Sequence, residues 1–306
     1  MDYLYLLIGF ILLLASGHFL VLSASDISIK LNLPKMIIGL LVVSFGTSAP
    51  ELLVSVQAAL KSHPEIAMGN VVGSNIANIA LVLGLTSIIL PIVVKNKTVW
   101  IDWIVMMLSG LLLFVFSYDL IIEWYEGLIM LLILAVYILY SIRYRKTKDE
   151  EESNIARYPF YVSILLLLGA IIGMYFGADL LIDSSSIIAK SWGISERIIS
   201  VTIIAFGTSV PELATSLIAA LKKEMDISIG NIVGSNIFNI LSILGITALI
   251  KPIDVSPATL NNDMIWMLGI SVLLLLSILP IRKGKIHRWK GLLFIGIYIA
   301  YVYLLF

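Results

Sequence analysis

Residues 45–92 read FGTSAPELLVSVQAALKSHPEIAMGNVVGSNIANIALVLGLTSIILPI, and residues 206–253 read FGTSVPELATSLIAALKKEMDISIGNIVGSNIFNILSILGITALIKPI. A shift of 161 positions aligns the two stretches without a gap, and 28 of the 48 positions are identical. The identities include Gly, Pro, Glu, Ser and Asn in register, whereas chance similarity between apolar helices would match mainly Leu and Ile. The chain therefore contains an internal repeat.

The composition of the whole chain indicates a membrane protein. Of 306 residues, 60% are hydrophobic and 13% are charged, which is too little charge to cover a soluble domain of this size. Apolar runs of about 20 residues, each long enough to cross a hydrocarbon core, recur from end to end. We predict ten membrane-spanning helices, near residues 3–22, 36–60, 66–92, 99–117, 122–141, 160–188, 197–221, 227–251, 262–281 and 290–306.

The basic residues predict the orientation of these helices. The loops after the first, third, fifth, seventh and ninth helices contain 16 Lys and Arg residues, and the loops after the even-numbered helices contain four. By the positive-inside rule the first set is cytoplasmic, so we expect a multi-pass protein of the cell membrane with both termini extracellular.

Each copy of the repeat lies in a unit of five predicted helices. Because five is odd, the second unit must enter the membrane from the opposite face. We expect a first five-helix repeat over residues 1–141, a cytoplasmic linker over 142–159 and an inverted five-helix repeat over 160–306. This all-α arrangement, with two inverted repeats, is typical of alternating-access transporters.

Two acidic residues, Glu51 and Glu212, lie near the middle of predicted membrane-spanning helices. All 20 Lys and Arg residues fall in loops or near helix ends, so neither acid is expected to have a basic partner. An unpaired carboxylate at that depth is costly. We therefore expect the two acids to be neutralised by protons or by a bound cation.

Pro50 and Pro211 predict broken helices beside these acids. Proline has no N–H and clashes with the carbonyl four residues earlier, so carbonyls around Ser44–Thr47 and Ala205–Thr208 are expected to be free. Free carbonyls at membrane depth are tolerated only within protein or beside a cavity. With Thr and Ser hydroxyls and two carboxylates they would form an all-oxygen cage, which hard cations such as Ca²⁺ and Na⁺ prefer.

A second motif, Gly-Asn-x-x-Gly-Ser-Asn-x-x-Asn, occurs at 69–78 and 230–239. Its Gly-x-x-x-Gly spacing favours close helix packing. We expect Asn75 and Asn236 to hold the broken backbone. Helical spacing places the Ser and the last Asn of each copy on one face, so the candidate site residues here are Ser74, Asn78, Ser235 and Asn239.

These residues resemble the alpha repeats of the cation/calcium exchanger superfamily, in particular bacterial and archaeal sodium/calcium exchangers. The resemblance covers nearly the whole chain and implies four central ion sites, one for Ca²⁺ and three suited to Na⁺. Asn239 is a departure, because some potassium-dependent relatives carry Asp there; this argues against potassium dependence. The implied ligands are Glu51 and Glu212, shared by both kinds of site; the carbonyls of Thr47, Thr208, Ser44 and Ala205; the side chains of Ser48, Ser209, Ser74 and Ser235; and Asn78 and Asn239 bordering the central site.

The expected function is secondary active antiport of Na⁺ against Ca²⁺, with 3:1 stoichiometry that would carry current. Ca²⁺/H⁺ antiport is the alternative, and a cation channel is a further one. No nucleophile–base pair or metal-hydrolase motif indicates an enzyme, and the zero net charge gives no pull toward nucleic acid. The expected partners are therefore the two ions and the lipid bilayer, with no cofactor and no obligate protein partner.

Overall fold

The chain is almost entirely helical. The computed structural model describes residues 2–61, 64–94, 99–144, 156–193, 205–279 and 284–304. The helices are α1 Asp2–Leu31, α2 Lys35–Thr47, α3 Ala49–Leu60, α4 Ile66–Ile89, α5 Val99–Phe116, α6 Trp124–Tyr144, α7 Phe160–Ser191, α8 Ala205–Thr208, α9 Val210–Leu221, α10 Met225–Ile250, α11 Thr259–Ile278 and α12 Arg288–Leu304. The strands are β1 Ile92–Val94, β2 Ile121–Ile122, β3 Ile253–Asp254 and β4 Gly284–Ile286.

Seven of the helices in the described residues are long and apolar enough to cross a membrane, or eight if the bent pair α2 and α3 is one span. This is fewer than the ten predicted, because α9 has only 12 residues and α12 only 17. The predicted span at 197–221 is described only from residue 205 onward. Large apolar side chains such as Val115 and Leu139 lie exposed on the outer faces, as expected against lipid. The chain is a multi-pass membrane protein.

The two longest helices, α1 and α7, have 30 and 32 residues and pack along each other. A Cβ atom built on Gly9 would lie 2.9 Å from the carbonyl oxygen of Gly177, so these glycines permit the close approach. The first apolar run predicted a helix ending near residue 22, but α1 continues to Leu31. Its last turns stay helical because their polar side chains, including that of Asp26, are buried against the rest of the protein. At about 1.5 Å per residue, α1 is about 45 Å long and exceeds the hydrocarbon thickness.

Equivalent residues of the two repeat copies form the same local structures. The shift of 161 residues superimposes α3 on α9, and it also superimposes two π-helical segments, Asn78–Leu83 in α4 and Asn239–Leu244 in α10. A π-helical segment widens the helix locally and is frequent at functional sites. The repeat seen in the sequence is therefore also a repeat of backbone conformation.

In the described part of the chain, four short strands that the sequence did not predict join the two halves. β1 pairs with β4 in antiparallel fashion, from Ile92 opposite Ile286 to Val94 opposite Gly284. β2 pairs with β3 in the same way. The pairing satisfies backbone N–H and C=O groups of connections that would otherwise leave them unpaired at the membrane surface. The central helices α4 and α10, which carry the second motif, are the most deeply buried spans and form the middle of the hydrophobic core.

Candidate cation site

Two helix breaks carry the first motif. α2 and α3 meet at an angle of 45°, and Ser48 is the one residue between them. Ser209 occupies the equivalent position between α8 and α9, with nearly the same backbone angles. Pro50 and Pro211 follow two residues later in the first turn of α3 and α9, so the prediction of broken helices is confirmed.

One expected free carbonyl is not free. The carbonyl oxygen of Ser44 accepts hydrogen bonds from the backbone N–H of Ser48 at 2.9 Å and from the Thr47 hydroxyl at 3.2 Å. The Ser44 carbonyl stays bonded because the bend lies one turn later, at Ser48. The N–H group that Pro50 lacks would have bonded the carbonyl of Gly46, not that of Ser44. The expectation that the carbonyls around Ser44–Thr47 are all released was therefore wrong for Ser44.

The two acidic residues are fully buried at the break. Glu51 and Glu212 are the third residues of α3 and α9, and neither side chain is exposed. Within the described residues, neither carboxylate forms an ion pair with Lys or Arg. The hydroxyl of Ser48 donates to Glu212 Oε1 at 3.2 Å, which links the first motif of one repeat directly to the acid of the other.

The repeats cross over each other at this point. α9 packs against the π-helical segment Asn78–Leu83, and α3 packs against its equivalent, Asn239–Leu244. Each acid-bearing helix therefore contacts the segment of the other repeat that begins with the last Asn of the second motif. Asn78 and Asn239 are fully buried there.

Many buried polar atoms in this region have no hydrogen-bond partner among the described residues. Buried polar groups are normally hydrogen-bonded, and leaving one unpaired costs about 1–3 kcal/mol. A group of them concentrated at one place therefore indicates a site that a ligand completes. The unpaired atoms are both carboxylate oxygens of Glu51, Oε2 of Glu212, the hydroxyls of Ser209 and Ser235, and the amide oxygens and nitrogens of Asn78 and Asn239.

Two further residues, Asn70 and Asn231, support the acids and were not identified from the sequence. The Asn231 amide donates to the carbonyl oxygen of Glu212 at 3.4 Å and to the Ser216 hydroxyl at 3.0 Å. Asn70 makes the same two bonds in the first repeat, to the carbonyl of Glu51 at 3.1 Å and to Ser55 at 3.0 Å. The signal was available, because these Asn and Ser residues are identical in both repeat copies.

Asn231 also bridges the repeats. Its Oδ1 accepts a hydrogen bond from the Thr47 hydroxyl at 3.2 Å. Asn75 and Asn236 were expected to hold the broken backbone, but both bond backbone carbonyls within the continuous helix α10. The amide of Asn75 donates to the carbonyl of Asn236 at 3.2 Å, and the amide of Asn236 donates to the carbonyl of Ile232 at 2.8 Å.

The glycines of the second motif differ between the repeats. A Cβ on Gly234 would lie 2.6 Å from the Ser44 hydroxyl, and one on Gly230 would lie 3.0 Å from the Leu40 nitrogen, so α10 packs tightly on α2. A Cβ on Gly69 or Gly73 would meet no described atom within 4 Å. The packing role predicted for these glycines is confirmed for the second repeat.

The remaining candidates lie in the same region. Ser44, Thr47, Ser74 and Thr208 are buried. Ala205 begins α8, and its side chain lies outside the described residues. Two buried carboxylates surrounded by hydroxyl and amide oxygens can balance one divalent cation, or can bind monovalent cations or protons in its place.

The comparisons with known proteins cover the whole chain. A family model described as sodium/calcium exchanger protein matches residues 1–143 and 162–306. The putative antiporter CaxA of Alkalimonas amylolytica is 36% identical over 99% of this chain and 98% of its own length. The sodium/calcium exchanger MaX1 of Methanosarcina acetivorans is 30% identical over 100% of this chain and 98% of its own length. A structure of the sodium-calcium exchanger NCX_Mj soaked without Na⁺ and Ca²⁺ matches with a TM-score of 0.86 and 33% identity, covering 100% of this chain and 99% of that one.

Proposed function

Because the chain belongs to the sodium/calcium exchanger protein family, we propose that it exchanges Na⁺ for Ca²⁺ across the cell membrane by alternating access. Members of this family are transporters and not enzymes. The observation that carries the proposal is the pair of buried acids, Glu51 and Glu212, which have no basic partner in the described residues. They lie where the two repeats cross, among polar atoms that a bound cation would satisfy.

The proposed ion ligands are the residues of the two motifs. Both carboxylates would contact Ca²⁺ and would be shared with Na⁺, as in the implied family pattern. The hydroxyl of Ser235 and the amides of Asn78 and Asn239 support the inclusion of the second motif, since they are buried and have no hydrogen-bond partner among the described residues. The proposed set is Glu51, Glu212, Thr47, Thr208, Ser48, Ser209, Ser74, Ser235, Asn78, Asn239 and Ala205. Ser44 is left out because its carbonyl already accepts two hydrogen bonds.

The proposed topology has ten spans, with an inverted repeat over 1–141 and 160–306 and a linker over 142–159. The strand pairs support this inversion. β1 and β3 are equivalent in the repeat, and α5, about 27 Å long, separates β1 from β2. β1 and β2 therefore lie at opposite faces of the membrane. Because β3 pairs with β2, β3 lies at the face opposite to β1. Equivalent segments at opposite faces are what an inverted repeat requires.

The same pairs support the proposed orientation. β1 and β4 belong to the connections rich in basic residues, after the third and ninth proposed spans. β2 and β3 belong to the other set, after the fourth and eighth. Each pair thus joins two loops assigned to the same side. The basic set would face the cytoplasm, with both termini outside.

The proposed stoichiometry is three Na⁺ for one Ca²⁺. Two ionised carboxylates balance one Ca²⁺, whereas three Na⁺ leave one net positive charge, so each cycle would move one charge in the direction of Na⁺. A potential contributes about 2.3 kcal/mol per net charge per 100 mV. A 100 mV potential should therefore change the attainable Ca²⁺ gradient by about fiftyfold.

The test is Ca²⁺ uptake into proteoliposomes whose potential is clamped with K⁺ and valinomycin. An equilibrium Ca²⁺ gradient that follows both the Na⁺ gradient and the voltage is expected. A gradient independent of voltage would mean electroneutral 2:1 exchange. A gradient that follows pH and not Na⁺ would favour Ca²⁺/H⁺ antiport, with both acids carrying protons on the return. A channel could not build a Ca²⁺ gradient from an opposing Na⁺ gradient.

A further inference from the structure

A polar cavity shares no lining residue with the candidate cation site. It has a volume of about 600 Å³ and is enclosed by α1, the segment before α7, the start of α2 and the connection from α9 to α10. Ionisable side chains dominate its lining. They are His18, Asp26, Lys35, Arg157, Lys222 and Glu224.

Both acids of this cavity are already engaged. Asp26 is buried, and its two carboxylate oxygens accept hydrogen bonds from the backbone N–H groups of Arg157 at 3.1 Å and Tyr158 at 3.0 Å. Glu224 forms an ion pair with Lys35 at 2.9 Å and accepts a bond from Ser25 at 3.4 Å. The backbone bonds orient the Asp26 carboxylate without cancelling its charge, whereas the Glu224 carboxylate is paired with Lys35.

Two basic side chains of the lining form no close ion pair among the described residues. Lys222 donates to the carbonyl oxygen of His18 at 3.0 Å, which is a neutral acceptor. Burial lowers the pKa of Lys222, and the nearby Arg157 guanidinium lowers it further, against a smaller opposing effect of Glu224. The described part of the chain contains no ion pair of either Arg157 or Lys222. Apart from His18, the lining thus carries three basic and two acidic side chains, a net charge of one positive, and Arg157 and Lys222 are close enough to repel each other.

We propose that this cavity binds a phosphate-bearing anion, supplied by the headgroup of an anionic phospholipid. Arginine suits the purpose because its guanidinium can donate two parallel hydrogen bonds to a phosphate, and lysine adds a point charge. Basic pockets between membrane helices on the cytoplasmic side are typical headgroup sites. Lys35, Arg157 and Lys222 all come from connections assigned to that side by the basic-residue distribution.

The shape of the cavity favours a lipid over free phosphate. Val21, Leu22 and Ile29 line the same face of α1 as the polar residues, so the wall is apolar beside the charges. A volume of about 600 Å³ lies in the range of sites that enclose whole organic ligands and far exceeds one phosphate ion. The apolar wall belongs to a membrane-spanning helix, where the glycerol and first acyl carbons of a lipid would lie.

The test uses the purified full-length chain in a zwitterionic detergent, with bound lipid counted by native mass spectrometry. The probes are phosphatidylglycerol, phosphatidylcholine and inorganic phosphate. Arg157→Gln and Lys222→Gln should each lower the affinity for phosphatidylglycerol about fivefold, because one interfacial basic residue contributes about that factor. Lys285→Gln, which removes a charge from β4 on the same predicted side, is the matched control and should leave the affinity unchanged.

Charge-preserving variants separate charge from folding. Arg157→Lys and Lys222→Arg keep the positive charge and should bind phosphatidylglycerol nearly as tightly as the wild type. If these residues had only a structural role, affinity would not depend on whether the charge is kept. Equal phosphatidylglycerol affinity in the wild type and both Gln variants would overturn the proposal. Inorganic phosphate binding as tightly as the lipid would overturn the lipid assignment. Failure of the wild type to bind phosphatidylglycerol more tightly than phosphatidylcholine would also overturn it.

Discussion

The tight contact between α10 and α2 predicts opposite effects of the same substitution at two equivalent glycines. Gly234→Ala would place a Cβ 2.6 Å from the Ser44 hydroxyl and 2.8 Å from the Leu40 Cα. A methyl group cannot approach a backbone atom so closely, so α10 and α2 must move apart. Overpacking of this kind costs about 1–3 kcal/mol.

Gly73→Ala is the matched control. No described atom lies within 4 Å of a Cβ at Gly73, and Ala in a helix interior is more stable than Gly by about 0.5–1 kcal/mol. The two variants should therefore differ in unfolding free energy by about 1.5–4 kcal/mol, with Gly234→Ala below the wild type and Gly73→Ala above it.

Thermal unfolding followed by tryptophan fluorescence in ion-free detergent measures this difference, since the chain has six Trp residues. Equal stability of the two variants, or a larger loss for Gly73→Ala, would refute the reasoning. Under the proposed alternating access, pseudo-symmetry would bring Gly73 into the tight contact in the opposite conformer. Both variants should then slow Na⁺-driven Ca²⁺ flux, although only Gly234→Ala destabilises the conformer described here.

Three further predictions concern the candidate site. Glu51→Gln and Glu212→Gln should each abolish exchange in proteoliposomes while leaving a folded protein, because no basic partner would be stranded; normal exchange by either variant would exclude that acid from the site. Asn239→Ala removes an amide that has no hydrogen bond in the described residues, so the free energy of unfolding without ions should change by less than about 1 kcal/mol. The increase in melting temperature that Ca²⁺ produces should become smaller. An unchanged increase would place Asn239 outside the site. Asn231→Ala breaks three hydrogen bonds of a buried side chain and should lower the free energy of unfolding without ions by about 2–3 kcal/mol. The loss should exceed that of Asn70→Ala, because Asn70 is only half-buried. A larger loss for Asn70→Ala would contradict this.

The sequence predicted the features that local chemistry decides. The helix breaks follow from Pro50 and Pro211, since a missing N–H acts on the residues immediately before it. The position of Glu51 and Glu212 in apolar runs predicted their burial, and among the described residues neither forms an ion pair with Lys or Arg. Polar identities in register between the copies identified the repeat, because apolar membrane helices offer little other signal.

Features that depend on distant partners were missed. Strands of two or three residues show no periodicity, and their partners lie in the other half of the chain. The role of Asn70 depends on the position of the Glu51 carbonyl, which only the packing of α4 on α3 fixes. The Ser44 carbonyl stayed bonded because the bend is at Ser48, and a proline alone does not specify where within a turn the helix bends.

The pairing of β1 with β4 has a consequence for the biosynthesis of the chain. Val94 finds its partner Gly284 only after 190 more residues have been synthesised. At about 5–20 residues per second, the first half would wait roughly 10–40 s in the membrane with this strand edge unpaired. During the same interval Glu51 would lie in a half-built site, without the second repeat that packs around it. The newly inserted first half is therefore the stage at which this protein is most exposed to quality-control proteases and to mispairing with another chain.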